Sequence, residues 1–408
     1  MSLPTLPIAR MALRNVRRNV RRSLLTVFAI AFGLLCLIVF QALKVGLHRE
    51  MVNSTVRLDA ASLQVHAAGY EANLTTLKPL RDPERVARAL ATAGVADFGR
   101  RFKAPALALA GQRSSSVLLA GVDPAAEPRI TFVAERIVAG VYLDATAGVV
   151  LGAALAESLG VEVGDEVTFM VQGVFGRPVT GRFAVRGLYR TELASFDRSH
   201  VFLPLAVAQS FLQAEGVVTE IAARTPFGAE EGIADRLQRV LPPDLYQVRS
   251  WQQLAPDVVQ LIELNNATMH LLILIVFAIV ALGITNTMTM AVYERFRELG
   301  VLTAIGMRPA RIVTLIVCES FFLGLFASLV GSLLGVAVCA WLARHGIDLT
   351  SLTSANQYFA TSHVLRAHLL PVDLLTANAV TLATALLAGL YPAWKAARLQ
   401  AAEAIRHI

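Results

Sequence analysis

The sequence predicts an α-helical membrane protein with four transmembrane helices and a large extracytoplasmic α+β domain between helices 1 and 2. Of its 408 residues, 55% are hydrophobic and only 16% charged, more apolar and less charged than an ordinary soluble protein. Four runs are long enough to cross ~30 Å of hydrocarbon as helices. Between the first two lie over 200 residues that alternate short strand-like and helix-like patterns.

Residues 1–22 read as a basic helix carrying Arg10, Arg14, Arg17, Arg18, Arg21 and Arg22. Residues 23–43, "SLLTVFAIAFGLLCLIVFQAL", contain no charge and form the first span. A cleaved signal peptide also begins basic, but its apolar core is about 7–15 residues long and ends at a small-residue site; the longer run here reads as an uncleaved anchor.

Residues 44–255 form the inserted domain. "SLQVHAAGY" (62–70), "SVLLAGVD" (116–123), "EVTFMVQ" (166–172), "RFAVRGLY" (182–189) and "HVFLPL" (200–205) are expected as strands. "DPERVARALATAG" (82–94) has an Asp N-cap, Pro at the first helical position and a closing Gly, and "AEEGIADRLQRVL" (229–241) is a second amphipathic helix. From 256 the sequence runs helically, without a breaker, into the second span, so 256–292 is expected as a stalk plus span. The third span is 310–343 and the fourth 371–394, joined by a loop at 344–370 and followed by a tail at 395–408.

Positive charge orients the spans. Arginines crowd before span one, between spans two and three (Arg295, Arg297, Arg308, Arg311) and after span four with Lys395, Arg398 and Arg406, whereas the 344–370 loop holds only Arg344 and Arg366. Both termini are therefore expected in the cytoplasm and the inserted domain outside. The net charge of +7 clusters beside apolar runs, so it reads as topology, and no nucleic-acid partner is expected.

The segment 293–309 is the anomaly, charged sequence between two spans. Glu294, Arg295, Arg297 and Glu298 supply a polar face. Phe296, Leu299, Leu302 and Ile305 recur every third residue as an apolar stripe, and Gly306 followed by Pro309 ends one helix and starts the next. Its plainest reading is an interfacial linker on the lipid headgroups, although two acids beside the arginines suit an anionic surface poorly.

Catalytic signatures are missing. No Gly-rich loop ends in Lys followed by Ser or Thr, since Lys44, Lys78, Lys103 and Lys395 all precede other residues; a nucleotide is expected to be handled by another subunit. There is no G-x-S-x-G or H-E-x-x-H motif. Asp197, Ser199 and His200 are neighbours in "FDRSH", but adjacent side chains on a strand diverge, so a turn entering a strand is the expected reading. His363 and His368 lack the i, i+4 spacing of a helical zinc site, and no metal is expected. Asn53, Asn73 and Asn266 begin Asn-x-Ser/Thr-type triplets that matter only in a glycosylating pathway. Cys36, Cys318 and Cys339 all lie in apolar runs, so no structural disulfide is expected.

Within the apolar runs of the spans, 23–43, 270–292, 312–343 and 374–394, Glu319 is the only acid. It is either a proton-carrying residue or, more plainly, one that reaches interfacial water or caps a neighbouring helix. Ala327, Gly331 and Gly335 form a small-xxx-small row for close helix approach, within or between protomers, and Asn286 and Asn378 can add interhelical hydrogen bonds.

Read with these features, "ERFRELGVLTAIGMRPARIV" resembles the charged segment after the second span of FtsX-like ABC-transporter permeases, the family of MacB efflux pumps and LolC/LolE lipoprotein-releasing permeases. "MALRNVRRNVRRSLLTVFAIAFG", "VVLGAALAESLGVEVGDEVTF" and "GLYPAWKAARLQAAEAIRHI" extend the similarity over essentially the whole chain. The tail departs from the family, which commonly has Pro before a Glu-Ala-Leu-Arg ending. The resemblance implies a MacB-like periplasmic core and a coupling helix formed by Glu294, Arg295, Phe296, Arg297, Glu298, Leu299, Leu302, Ile305 and Gly306. It also implies two copies of an ABC ATPase partner that holds ATP and Mg, with no cofactor on this chain. A second permease chain, identical or related, membrane lipids and a periplasmic lipoprotein or membrane-fusion protein are the other expected partners. The implied setting is the bacterial inner membrane, with mechanotransmission driving lipoprotein release or lipid handling. Stand-alone permeases without a fused ATPase favour that cargo; drug or peptide efflux, and an FtsX-like regulator of a cell-wall hydrolase, are the alternatives. A tethered enzyme is disfavoured by the missing catalytic constellation.

Overall fold

The computed structural model describes residues 5–70, 78–173, 177–191, 193–348 and 364–398. Asn73, His363, Arg406 and the "LQAAEAIRHI" tail lie outside them, as does most of the 344–370 loop. The chain divides into two compact units, one drawn from Met1–His48, Glu263–Ile347 and Val364–Ile408, the other from Arg49–Ile262 and Asp348–His363.

In chain order, α1 (Thr5–Arg18) is followed after Asn19 by α2 (Val20–Thr55), whose end widens into a π-helix at Val56–Ala60. Then come β1 (Leu63–Ala67), α3 (Pro83–Thr92), β2 (Asp97–Ala110), β3 (Arg113–Val122), α4 (Glu127–Ile130), β4 (Ile137–Gly140), β5 (Val149–Gly152) and α5 (Ala153–Leu159). They are followed by β6 (Glu166–Gln172), β7 (Pro178–Tyr189), α6 (Ala194–Ser199), β8 (His200–Pro204), α7 (Leu205–Phe211), β9 (Glu220–Arg224), α8 (Glu230–Val240), β10 (Tyr246–Ser250) and α9 (Trp251–Leu254). The chain continues with α10 (Pro256–Glu294), α11 (Phe296–Ala304), α12 (Pro309–His345), a short pairing of β11 (Ile347–Asp348) with β12 (Val364–Leu365), and α13 (Pro371–Ala397).

The α+β unit is built on one sheet in the order β10-β1-β9-β2-β3-β8-β5-β7-β4, with β6 joining β2 to β7. The pairings β2–β3, β3–β8, β8–β5, β5–β7, β7–β6 and β6–β2 close a six-stranded ring, which removes free edges from that part of the sheet. Phe102, Ala108, Leu119, Leu151, Val167 and Phe169 fill its interior, and the period-two burial of β6 follows directly from its alternating sequence. Beside the ring, β10, β1 and β9 carry a second core in which Val86 and Leu90 of α3 meet Ile233 and Leu237 of α8. The Asp82 side chain caps α3 by accepting from the Arg85 N–H at 3.1 Å.

In the helical unit, α2, α10, α12 and α13 are long and apolar enough to cross a membrane. Only 11% of the apolar stretch of α10 is buried, against 39% for α2. Because lipid tails solvate Leu as well as Leu does, these helices associate by close contact and hydrogen bonds. The small-residue row on α12 does this: a Cβ on Gly331 would sit 2.8 Å from the Ala31 carbonyl oxygen, and one on Gly335 would sit 3.0 Å from Ile38. Ala327 is fully buried. The row therefore seats α2 within the chain.

The elements differ from the sequence reading in several places, among them the unexpected strands β4, β5, β9 and β10 and the shorter helix α11 within 293–309. The first long helix continues to Thr55, well past residue 43, because nothing in "KVGLHREMVNST" breaks a helix. The longest strand, β2, was also not expected, because Arg100, Arg101, Lys103 and Pro105 break the apolar alternation that marks a strand.

Candidate functional site

The chain must turn between α10 and α12, and the sequence provides for it. The helix stops at Glu294; Arg295 leaves the helical region at φ −106° and ψ 17°, and its carbonyl accepts from the Leu299 N–H at 3.0 Å as α11 begins. At the other end Gly306 takes φ 94°, a left-handed value that suits glycine, while the Met307 N–H bonds the Leu302 carbonyl at 3.0 Å. Pro309 then starts α12 at a position where its missing N–H costs nothing.

Three polar contacts fasten this turn inside the helical unit. Arg295 donates from Nη1 to Glu319 Oε1 at 3.0 Å and from Nη2 to the Asn15 carbonyl at 3.0 Å. Asn15 Nδ2 donates to Glu319 Oε1 at 2.5 Å. Arg295 and Glu319 are each only 8% exposed, so this is a buried, hydrogen-bonded ion pair. Nearer the surface, Arg18 pairs with Glu298 and Arg22 with Glu294.

The apolar residues divide. Leu299 is buried at 6% exposure among Met288, Val292, Ile312 and Ile316, and Leu302 packs against the same cluster. Phe296 is half-buried and stacks with Tyr293 at 6.4 Å. Ile305 is 80% exposed and Val301 44%. Geometry requires this split, because a step of three residues at about 100° each drifts by about 60°. Over nine residues the drift reaches about 180°, so Phe296 and Ile305 lie on opposite sides. Arg297 is exposed. The large apolar side chains left open on α11 and its C-cap are therefore Val301 and Ile305, beside Arg297.

Of the other sequence candidates, Asn378 bonds Ser332 at 2.9 Å and so ties α13 to α12. Asn286 is exposed and lines a groove of about 780 Å³ between α2 and α10. Glu319 is engaged by Arg295 and Asn15. Asp197 accepts from the Thr191 N–H and hydroxyl at 3.0 and 2.6 Å and so closes a buried turn, while Ser199 Oγ lies 2.9 Å from His200 Nδ1 and bonds its own helix. Among the described residues no group of three or more His, Cys, Asp or Glu is arranged to hold a metal ion.

Sequence reading missed Asn15 and the pairing roles of Arg18 and Arg22. Their signal was the spacing of Asn15 and Arg18, three apart on one face of α1, with Arg22 following just past the break at Asn19.

A second polar constellation lies within the α+β unit. Arg101, 1% exposed, donates to Glu127 at 2.7 Å, to Glu220 at 3.2 Å and to the Asp59 carbonyl at 2.7 Å. Lys103 Nζ lies 2.7 Å from Asp59 and 3.0 Å from Glu220. Burial alone pulls the Lys103 ammonium down, but Asp59 and Glu220 outweigh it and raise it above its ordinary value. Burial pushes Glu220 up, and Lys103 and Arg101 override this to hold it below the usual carboxylate range. Next to them, burial draws His66 down to about 4.

Residues 23–240 match the MacB-like periplasmic core domain and residues 271–401 the FtsX-like permease C-terminal domain. The chain belongs to this family of FtsX-like permeases, the membrane-spanning type found in ABC transporters. Among its relatives is the lipoprotein-releasing system transmembrane protein LolC of Xylella fastidiosa, 25% identical over 94% of each chain. Another is LolE of Haemophilus influenzae, 26% identical over 72% of this chain and 73% of its own. The macrolide export ATP-binding/permease protein MacB 2 of Aeromonas hydrophila is 27% identical over 52% of this chain and 32% of its own.

Proposed function

We propose that this chain is the non-catalytic permease subunit of an ATP-driven transporter that releases lipoproteins or handles lipids at the bacterial inner membrane, working by mechanotransmission. Near-full-length similarity to a LolC, and similarity to a LolE over 72% of this chain, support the cargo class. The arginine distribution supports cytoplasmic termini and an outside α+β domain. The weak coverage of α10 is consistent with a second permease chain seated in the bilayer beside it.

One observation carries the mechanism. The segment 294–305 is braced from behind by Asn15, Arg18, Arg22 and Glu319, while Val301 and Ile305 remain open. A motor subunit pressing on Ile305 pushes a wedge whose rear is ion-paired to α1 and α12, so displacement passes into the spans instead of being absorbed by a soft loop. Two ATPase copies, one under each permease chain, complete the cycle and hold ATP and Mg.

The test is thiol crosslinking of Ile305→Cys in a chain with Cys36, Cys318 and Cys339 replaced by Ala, within the complex extracted in mild detergent. An ATPase subunit should co-purify and crosslink at position 305. If none accompanies the chain and none crosslinks anywhere in 294–306, the proposal fails.

A further inference from the structure

Inside the helical unit a cleft of about 510 Å³ opens between α1, the end of α10, α11 and the start of α12, a size typical of small-ligand sites. Its walls are largely apolar, with Met11 from α1, Met288 from α10, Leu302 from α11 and Leu315 from α12. Two methionines make such a wall adaptable to a flexible chain.

The charged lining is unequal. Arg18 is paired with Glu298 and Arg295 with Glu319, which uses both acids. Arg297, also in the lining, is exposed and has no carboxylate partner among the described residues. The cleft therefore offers apolar walls and one uncompensated guanidinium. Met288 and Leu315 belong to apolar runs, whereas Arg297 belongs to the polar turn, so the cleft straddles the change from hydrocarbon-like to water-like sequence.

We infer that this cleft binds an acidic phospholipid carrying a single negative headgroup charge. One acyl chain lies along the methionine-lined wall and the phosphodiester meets Arg297, whose planar fork suits phosphate oxygens. Free phosphate would leave the apolar walls unused, and a zwitterionic lipid would set a second cation beside Arg297. The bound lipid touches both α1 and α11, and so fixes how far the turn yields. Only that last consequence rests on the coupling role proposed above; binding itself is tested without any ATPase.

The full-length chain is reconstituted into nanodiscs containing photoactivatable phosphatidylglycerol or photoactivatable phosphatidylcholine, and crosslinks are mapped by mass spectrometry. Phosphatidylglycerol should label the segments around Met11, Met288 and Leu315 about fivefold more than phosphatidylcholine does, the gain one basic residue gives toward anionic lipid. Arg297→Glu should remove that preference. Val301→Trp, which fills the mouth from an exposed position, should lower labelling by both lipids. Both variants alter exposed positions, and the thermal midpoint verifies their folding.

Equal labelling by the two lipids, or a preference unchanged in Arg297→Glu, overturns the inference. Displacement by inorganic phosphate would assign the site to a soluble anion instead. Labelling seen with the isolated chain but absent in native membranes would assign it to an acidic side chain of a partner protein.

Discussion

The Arg295 guanidinium bridges Glu319 on α12 and the Asn15 carbonyl on α1, at 3.0 Å to each. One side chain at the break between α10 and α11 thus joins helices more than 270 residues apart in sequence. Arg295→Met should leave the Glu319 carboxylate buried with Asn15 alone and destabilise the chain by roughly 3–5 kcal/mol. Arg295→Met with Glu319→Leu should be less damaging than the two single changes added together, while Glu319→Gln keeps an acceptor for Arg295 and Asn15 but leaves the guanidinium charge uncompensated and so should also cost stability. Thermal midpoints in detergent give the cycle; strictly additive losses would show that the pair is not coupled. Because the carboxylate is engaged, transport by Glu319→Gln should follow the amount of folded protein, and a folded but inactive variant would return Glu319 to a proton-carrying role.

Leu299 and Ile305 should respond in opposite ways to the same change. Leu299→Asp forces a carboxylate into the cluster around Ile312 and Ile316, and accumulation of folded protein should fall sharply. Ile305→Asp alters a residue that is 80% exposed, so stability should move by no more than about 0.5 kcal/mol. ATP hydrolysis by the assembled complex should nevertheless lose its link to transport. Equal stability losses would mean that α11 is packed differently.

Gly331→Leu tests the contact between α12 and α2. Even a methyl group would stand 2.8 Å from the Ala31 carbonyl oxygen, and backbone cannot swing aside as a side chain does. The expected result is a lower thermal midpoint and loss of disulfide crosslinking between cysteines introduced at positions 38 and 335, which face each other across the same contact. A midpoint equal to wild type would mean that these helices separate easily.

Much of this architecture was legible because the signals are local. The spans announce themselves as charge-free runs, and β6 coincides with the expected 166–172 because "EVTFMVQ" alternates residue by residue. The strand β2 was illegible because "DFGRRFKAPALALA" carries Arg101, Lys103 and Pro105, which read as loop or surface. Arg101 and Lys103 are tolerated inside only because Asp59, Glu127 and Glu220 meet them there, up to 119 residues away in sequence. The turn at 293–309 was legible as a helix with caps. Its stripe was not divisible by eye, since a three-residue repeat mimics one face over two turns and only drifts to the far side by Ile305.

The cluster around Arg101 makes its own prediction. Removing one member of a buried ionic group leaves its partners uncompensated, so Arg101→Met should cost roughly 3–5 kcal/mol. Glu127 and Glu220 would then face each other across the vacated guanidinium. Glu127→Gln introduced with Arg101→Met should recover part of the loss, as read by urea unfolding of the full-length chain. A double variant no better than Arg101→Met would show that packing volume, not charge, is what Arg101 contributes.

The same cluster sets how stability depends on pH. Burial draws His66 from its ordinary 6.5 to about 4, a fall that the nearby Glu220 only partly offsets. An unfolded histidine takes up its proton as pH drops through about 6.5, whereas folded His66 resists until near 4, so the unfolded state binds more protons in that window. Stability should therefore be full above about pH 6.5 and fall as pH is lowered toward 4, by on the order of 3 kcal/mol for this group. His200, also depressed by burial, acts in the same direction. Glu220 is held below its ordinary 4.5, so its contribution is present above that value and lost only as pH falls below it. Between pH 6.5 and 4.5 the slope thus belongs to the histidines. His66→Phe keeps an aromatic ring against Tyr70, whose ring stacks on His66 at 3.7 Å, and removes the titrating group. Its thermal midpoint, followed across that interval, should fall less steeply than that of the unaltered chain; an identical slope in the two proteins would mean that His66 takes up its proton equally well in the folded state.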